Sequence, residues 1–120
     1  MAWVGLSRRA VRDSEKIERY SEDRWGKRTA EDYLDSVEDA LERLKQQPDL
    51  LRAKKDISEH FKFYRVREHF LICVQIHERI YVLTIKHASM DIPQRISELE
   101  PQLLLEAKLL HRAFLAAKRK

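Results

Sequence analysis

Apolar positions recur along the chain with two periods, a helical one in the first half and at the end, and a strand-like one in between. Residues 2–7, AWVGLS, alternate weakly and predict a short first strand. Ser7 is placed to cap a following helix, which is expected to end near Trp25-Gly26. The apolar face of this helix consists of Ala10, Ile17 and Tyr20.

The second helical segment has the most regular apolar spacing in the chain. Thr29 followed by Asp32 suggests a capping box, and Pro48 is expected to close the helix. Because only Gly26 and its neighbours separate the two helices, they are predicted to form an antiparallel hairpin. The apolar face consists of Ala30, Tyr33, Leu34, Val37, Leu41 and Leu44, and the opposite surface carries Glu31, Asp32, Asp35, Glu38, Asp39 and Glu42.

Residues 60–87 are rich in aromatic and β-branched side chains that alternate with a period of two. Polar triplets at 67–69 and 77–79 divide this stretch into three strands, which predicts an antiparallel meander. Residues 49–59 have no clear period and are expected to form a loop.

Strand alternation assigns side chains to the two faces of the predicted sheet. Ile85 is expected to share a face with Tyr81 and Leu83, and Arg65 is expected to share a face with Arg67. Cations that gather on one sheet surface could hold a phosphate backbone, although the same positions suit the solvent-facing side of an ordinary sheet.

The end of the chain predicts further helix. Asp91 can cap a short helix with Pro93 in its first turn, and Glu100-Pro101 is expected to break that helix. The tail from residue 102 carries a stripe too wide for a single contact, so it either docks on the core or meets another chain. The stripe consists of Leu103, Leu104, Ala107, Leu110, Phe114 and Ala117, widened by Leu105 and Leu109.

Length and charge limit the organisation of the chain. A chain of 120 residues fits one domain, so residues 1–120 are predicted to form a single domain with 101–120 as a helical extension. The net charge is +4, and the charges are unevenly distributed along the chain. Residues 29–50 contain seven acidic and two basic side chains, whereas residues 102–120 contain one acidic and five basic side chains. This polarity predicts directional docking, although a run of charge is also typical of a solvated helix face.

Composition argues against several classes of protein. No apolar stretch approaches the roughly 20 residues that span a bilayer, and the N-terminus lacks a signal-peptide pattern, so a cytoplasmic location without membrane contact is expected. The single cysteine, Cys73, lies in an apolar run and is expected to be a buried thiol. The five histidines share no ligand spacing and the two glycines form no phosphate loop, so neither metal nor cofactor is expected.

Short motifs occur in a fixed order: WG at 25–26, A-x-x-Y-L at 30–34, YRV at 64–66 and YVLTIKHASMD at 81–91. Together they resemble the ParE branch of the RelE/ParE toxin superfamily of bacterial toxin-antitoxin modules, over roughly residues 2–96. The resemblance implies a RelE/ParE-like α+β fold, with an N-terminal strand, an antiparallel helical hairpin, an antiparallel three-stranded meander and a C-terminal helical tail.

The resemblance also implies a function. ParE-like toxins poison DNA gyrase and stop replication, and a tightly bound ParD-like antitoxin holds them inactive, so a toxin-antitoxin hetero-oligomer is expected. RelE-like members instead cut messenger RNA in the ribosome, which makes a ribosome-dependent endoribonuclease the alternative. The non-enzymatic branch is favoured because the last tyrosine, Tyr81, lies inside a strand and His111 lies beyond the matching region.

Candidate site residues follow from the same resemblance. The last strand and the segment after it adjoin the functional surface in this superfamily, and Met90 and Asp91 have the alternative roles of core residue and helix cap. The residues expected to bind the target are Arg65, Lys86, His87, Met90, Asp91 and Arg95. Catalytic residues are expected only under the endoribonuclease alternative, as Arg65, Lys86 and His87. The residues expected to bind the antitoxin are Tyr20, Trp25, Tyr33, Val37, Leu41 and Phe63.

Overall fold

The computed structural model describes residues 2–118, whose major elements follow the predicted order and confirm the α+β class. The helices are α1 (Arg8–Trp25), α2 (Lys27–Gln46) and α3 (Ile92–Lys118), and a short 3-10 turn spans Pro48–Leu50. The strands are β1 (Trp3–Leu6), β2 (Arg52–Ala53), β3 (Lys62–Val66), β4 (His69–Ile76) and β5 (Arg79–His87).

The strands form one sheet in the order β1-β5-β4-β3-β2. Strands β3, β4 and β5 form the predicted antiparallel meander, and β1 joins β5 in parallel. Strand β2 contradicts the predicted loop over 49–59, because its two residues pair with Phe63 and Lys62. A strand this short has too few positions to show a period, so alternation could not reveal it.

The two helices of the hairpin meet at a glycine. Ser7 caps α1 as predicted, since its Oγ accepts a hydrogen bond from the amide three residues later at 3.0 Å. Gly26 ends α1 with a φ of 94°, in the region that favours glycine. Helix α2 begins at Lys27, so the predicted capping-box start at Thr29 is wrong. The Gly26 carbonyl already accepts a hydrogen bond from the Ala30 amide at 3.2 Å, which starts the helix before Thr29.

The cap of α1, Ser7, and a carboxylate within α1, Asp13, bond to polar groups of β5 beyond the end of β1. Ser7 Oγ donates a hydrogen bond to the Leu83 carbonyl at 2.8 Å. The Asp13 carboxylate accepts hydrogen bonds from the Ile85 amide at 3.0 Å and from the Thr84 hydroxyl. Helix α1 therefore fixes its position on the sheet through specific polar contacts as well as through packing.

The sheet has a separate hydrophobic cluster on each side. The hairpin of α1 and α2 covers one side, which we call the hairpin face, and α3 covers the other, which we call the α3 face. The hairpin-face cluster includes Ala10, Val37, Ala40, Leu44, Leu71, Cys73, Val82 and Ile85. The α3-face cluster includes Phe61, Phe63, Ile72, Tyr81, Leu83, Ile96 and Leu103.

A β-bulge between β4 and β5 changes which side chains face the hairpin. Adjacent positions of β4 pair with Thr84 and Val82, which leaves Leu83 as an extra residue in β5. Ile85 consequently belongs to the hairpin-face cluster, whereas Leu83 belongs to the α3-face cluster. The predicted common face of these two residues is wrong, because simple alternation assumes an uninterrupted ladder.

Helix α3 runs through Pro101, so the predicted break at Glu100-Pro101 is wrong. Proline removes the hydrogen bond to the Ser97 carbonyl, but Ser97 is exposed and water can take the place of the missing donor. Ile96 and Leu103 are fully buried on either side of the proline. Their burial holds both halves of α3 on the sheet.

The leucine-rich tail docks on the chain's own core, which resolves the two alternatives that its pattern left open. Leu103 and Ala107 are buried against the sheet, while Leu105 and Leu109 remain exposed. Of the predicted helical extension 101–120, residues 119–120 lie outside the described part of the chain.

Candidate functional site: an aromatic cleft and a cationic patch

The aromatic cleft is a cavity of about 230 Å³ where the end of α1 and the start of α2 meet the sheet. Tyr20 and Trp25 are the most exposed of its aromatic side chains, at 57% and 60%, and their ring centroids lie 6.0 Å apart. The Arg24 guanidinium lies 5.3 Å from the first ring centroid and 5.6 Å from the second. The cleft is lined by Lys16, Ile17, Tyr20, Ser21, Trp25, Tyr33, Glu68, His69 and His87.

A tyrosine and two histidines contact one another at the sheet side of this cleft. The Tyr33 hydroxyl contacts His69 Nδ1, and the rings of His69 and His87 pair across β4 and β5 with centroids 5.0 Å apart. Burial, together with the neighbouring His87, lowers the pKa of His69 to about 4. Burial raises the pKa of Tyr33. At neutral pH both groups are therefore uncharged, which makes the cleft suitable for an apolar or aromatic side chain.

His87 is oriented by the turn that follows it. The Ser89 amide donates a hydrogen bond to His87 Nδ1 at 3.0 Å, so a neutral His87 carries its proton on Nε2. Met90 is 38% exposed and lines a shallow hollow with His87 and Lys16, so its alternative role as a core residue is wrong.

The cationic patch lies on the opposite side of the sheet, around Phe70. The Arg65 guanidinium lies 5.5 Å from the Phe70 ring centroid, and the Lys54 ammonium lies 5.7 Å from it. Lys86 pairs directly with Phe70 across the strands and therefore shares its face. Glu68 lies 3.9 Å from Arg65 and neutralises part of this charge. The patch thus combines a half-buried ring with three cations: Lys54, Arg65 and Lys86.

The sheet separates Arg65 from the histidine that the endoribonuclease alternative would need beside it. Arg65 lies against Phe70 on the α3 face, whereas His87 pairs with His69 and faces the hairpin. Lys86 pairs with Phe70, but its side chain also lines the hollow that His87 borders. Arg67 also departs from its predicted position. It leaves β3 at a turn with a φ of 51° and places its guanidinium 5.4 Å from the Tyr33 ring centroid. The predicted common face of Arg65 and Arg67 is therefore wrong.

The remaining target-binding candidates lie at the start of α3. Asp91 caps the helix, as the alternative interpretation of its role predicts, because its Oδ1 accepts a hydrogen bond from the Gln94 amide at 3.2 Å. Arg95 is exposed one turn later, with its guanidinium 3.8 Å from Glu98. Only Arg65 and Lys86 of the predicted target-binding set belong to the cationic patch.

The predicted antitoxin-binding residues divide by burial. Tyr20, Trp25 and Tyr33 line the aromatic cleft. Leu41 is half-buried against the hairpin-face cluster. Val37 and Phe63 are buried core residues, and Phe63 lies on the α3 face, so neither offers a surface to a partner in this conformation.

Several residues of the two surfaces are missing from the predicted sets. His69 falls in a predicted polar turn but is the first residue of β4, where alternation from Leu71 would have placed it on the hairpin face. Phe70 could be predicted from a meander of this register, because it pairs with Arg65 on one side and with Lys86 on the other. Lys54 lies in a segment without a period, so its approach to Phe70 has no sequence signal.

The structure adds three further observations about chemical classes. Burial raises the pKa of the Cys73 thiol, which lies in the core as expected. Within residues 2–118, no group of three or more His, Cys, Asp or Glu side chains could hold a metal ion. Over the same residues, none of the helices is both long and apolar enough to cross a bilayer.

The fold and these surfaces define a small α+β protein in which a helical hairpin packs on a mainly antiparallel sheet. The family model described as the ParE toxin of the type II toxin-antitoxin system, parDE, matches residues 4–92. The chain belongs to this ParE toxin family.

A solved structure gives the same fold. The chain is similar to a protein from the chromosomal ParDE toxin-antitoxin system of P. aeruginosa, with a TM-score of 0.65 and 13% sequence identity. The match covers 74% of this chain and 98% of that one. Comparison with curated protein sequences gives no match.

Proposed function

We propose that this ParE-family toxin inhibits DNA gyrase in the cytoplasm and arrests replication, and that a ParD-like antitoxin neutralises it by forming a tight hetero-oligomer. The family match over residues 4–92 is the observation that carries the proposal. The separation of Arg65 from His87 supports a binding role, because acid-base chemistry on a phosphate needs the arginine and the histidine on one side of the sheet.

The cationic patch is the proposed contact with the target. Lys54, Arg65 and Lys86 present positive charge around a partly exposed ring, and the gyrase–DNA complex offers anionic surface in the form of DNA phosphates. Arg95 and Met90 lie outside this patch and are proposed to extend the contact towards the start of α3.

A gyrase assay tests this proposal. Purified toxin is expected to inhibit supercoiling and, with ATP, to accumulate linear DNA. Replacing both patch cations in Arg65→Ala/Lys86→Ala is expected to weaken inhibition about tenfold or more, because each removes a charged contact. Arg43→Ala is the matched control, since Arg43 is an exposed arginine on α2, far along the chain from the patch. Full gyrase activity at toxin levels that stop growth would refute the proposal.

The endoribonuclease alternative makes a different prediction. It requires cleavage of translated messages in a ribosome-toxin mixture, and His87→Ala should abolish that cleavage. Inhibition of gyrase, by contrast, predicts intact messages for both the wild-type toxin and the variant.

The aromatic cleft is the proposed anchor for the antitoxin. Tyr20 and Trp25 are exposed rings that border a cavity in which Tyr33 and His69 are uncharged, and exposed aromatic side chains around a pocket are frequent centres of protein–protein binding energy. Tyr33 forms part of the cavity wall, and Leu41 lies further along the same hairpin. Val37 and Phe63 are left out of this proposed surface because both are buried.

Calorimetry with the cognate antitoxin tests the cleft. Trp25→Ala is expected to weaken binding by about 2 kcal/mol, as is usual for a buried aromatic anchor. Trp3→Ala is the control, since Trp3 is the other tryptophan of the chain and packs against Phe114 at the opposite strand end. Equal losses for the two variants, with folding preserved in both, would rule out the cleft as the anchor.

A further inference from the structure

A second groove lies between the start of α1 and the middle of α3, with a volume of about 410 Å³. Its α1 side presents Arg8 and Arg12, and its α3 side presents Leu109, Leu110 and Ala113. The family match ends at residue 92, where α3 begins. One wall of the groove therefore comes from a segment outside the family match, and the groove is distinct from the aromatic cleft and the cationic patch.

A bidentate ion pair holds the two walls together. Arg9 Nε and Nη2 donate hydrogen bonds to the two carboxylate oxygens of Glu106, at 3.0 and 2.8 Å. This geometry fixes the relative position of α1 and α3 more firmly than a single contact would. The groove is consequently preformed, which lowers the ordering cost of binding.

The apolar part of the groove continues onto the exposed side of α3. Leu105 and Leu109 are 50% and 53% exposed and lie four residues apart, on one side of the helix. These two side chains leave an exposed apolar strip along the outer side of α3, beside the groove.

Positive charge borders this strip on both sides. Arg8 and Arg12 are exposed on α1, and neither makes an ion pair within residues 2–118. Lys108 and Arg112 are exposed on α3, each within one turn of Leu109. The only carboxylate among the groove-lining residues in the described part of the chain is Glu106, which Arg9 already neutralises.

We propose that the groove between α1 and α3 binds an acidic amphipathic helix of another protein. Apolar side chains of that helix, spaced at i and i+4, would pack on Leu105, Leu109 and Ala113. Its flanking carboxylates would meet Arg8 and Arg12 on one side and Arg112 on the other. This is the helix-in-groove mode of recognition, with charge complementarity setting the choice of partner. The proposal does not depend on gyrase being the target.

Charge and geometry disfavour two other occupants. Nucleic acid would match the cations but not the exposed leucines between them. A second copy of the chain could offer the acidic surface of α2, but that surface lacks an apolar stripe, and the contact would join two different faces. Such heterologous contacts tend to propagate rather than close.

The probe for the test is a fluorescein-labelled synthetic helix with leucines at i, i+4 and i+7 and glutamates on both flanks. Anisotropy with the full chain is expected to show binding that weakens as salt increases. Arg8→Ser/Arg12→Ser is expected to reduce affinity about tenfold or more, and Leu109→Ser by a similar factor, because charge and apolar area both contribute. Each change is on the surface, so the fold is expected to survive.

Matched controls make the test specific. Arg43→Ser removes an exposed arginine on α2 and should leave affinity unchanged, and a peptide with lysines in place of the glutamates should not bind. Absent binding of the acidic peptide, or equal binding of the basic one, would overturn the proposal. It would also be overturned by self-association that Leu109→Ser abolishes, or by a labelled oligonucleotide whose binding needs the Arg8 and Arg12 side chains while the peptide's binding does not.

Discussion

The two faces of the central sheet are built differently. On the hairpin face, small and medium side chains such as Ala10, Ala40 and Leu44 bring α1 and α2 close to the strands, and polar contacts from Ser7 and Asp13 add to the packing. On the α3 face, large rings fill the space beneath one long helix: Phe61, Phe63 and Tyr81 are almost completely buried there.

The family match includes the hairpin and the sheet but ends where α3 begins. Without α3, the apolar side chains of β3, β4 and β5 that point away from the hairpin would be exposed to water. Helix α3 is therefore a third layer of the fold, although its outer side also offers a surface for binding.

The largest expected effect is on the free energy of unfolding. It tests whether α3 is a structural layer of the fold or a loosely attached helix. Leu103→Ala is expected to lower the free energy of unfolding by about 2–5 kcal/mol, because a fully buried leucine leaves a cavity. Leu44→Ala on the hairpin face should cost a comparable amount. Urea denaturation followed by circular dichroism measures both.

Leu105→Ala serves as the control on the same helix. Leu105 is exposed, so its replacement should change the free energy of unfolding by less than about 0.5 kcal/mol. If Leu103→Ala had as small an effect, α3 would not be a layer of the fold.

The next effect concerns the polar attachment of the hairpin. Asp13→Ala leaves the Ile85 amide and the Thr84 hydroxyl without their acceptor, which is expected to cost about 1–3 kcal/mol. Hydrogen exchange at the Ile85 amide should accelerate more than exchange in β3. Glu15→Ala, an exposed carboxylate on the same helix, should produce neither change.

The ion pair between Arg9 on α1 and Glu106 on α3 should make a smaller, pH-dependent contribution to the free energy of unfolding. The hydrogen bond from Arg9 lowers the pKa of Glu106 below its usual value of 4.5. A carboxyl group whose pKa is lowered in the folded state stabilises the fold at pH values above its usual pKa. This stabilisation is lost as the pH falls through the folded-state pKa. At pH 7, Glu106→Gln is expected to cost about 0.5–1 kcal/mol, since both partners are partly exposed.

Unfolding curves at pH 7 and pH 3 check this sign. The difference in the free energy of unfolding between the wild-type chain and Glu106→Gln should be smaller at pH 3 than at pH 7. A difference that grows on acidification would contradict the role of the ion pair.

The last prediction concerns the titration of one ring in the aromatic cleft. The pKa of His69, about 4, is below the usual 6.5, so the unfolded chain binds a proton more readily and stability falls as pH drops from 6.5 towards 4. NMR titration of the ring should show this value directly. His87→Ala should raise the pKa of His69 by removing a neighbouring charge, while burial keeps it below 6.5. An unchanged or lower pKa would show that the pairing does not occur in solution.

Periodicity was sufficient to predict the hairpin and the meander. The apolar positions of α2 repeat through about four turns of helix, and β3 to β5 alternate over ordinary strand lengths, so local pattern and burial agree. The continuation of α3 through Pro101 was not predictable in the same way. It depends on whether residues on both sides are held by the sheet, and local preference alone favours a break.

The site residues were harder to predict than the elements that carry them. Tyr20, Trp25 and Tyr33 stand out in the sequence because aromatic residues beside a helix turn are local features, and the fold places all three around one cleft. The sequence grouped Arg65, Lys86 and His87 because they are near one another in the meander. Alternation places the adjacent residues Lys86 and His87 on opposite faces, but which of them shares a face with Arg65 depends on the register of the pairing, which the sequence does not display.

The extra residue Leu83 in β5 has a consequence for comparing relatives of this chain. It shifts the phase of everything downstream, so the irregularity decides which of the adjacent residues Lys86 and His87 points to the hairpin. A relative with the same letters but a regular strand would present its lysine to the hairpin and its histidine to the far side. Matching such proteins letter by letter would therefore assign equivalent roles to side chains that meet different molecules.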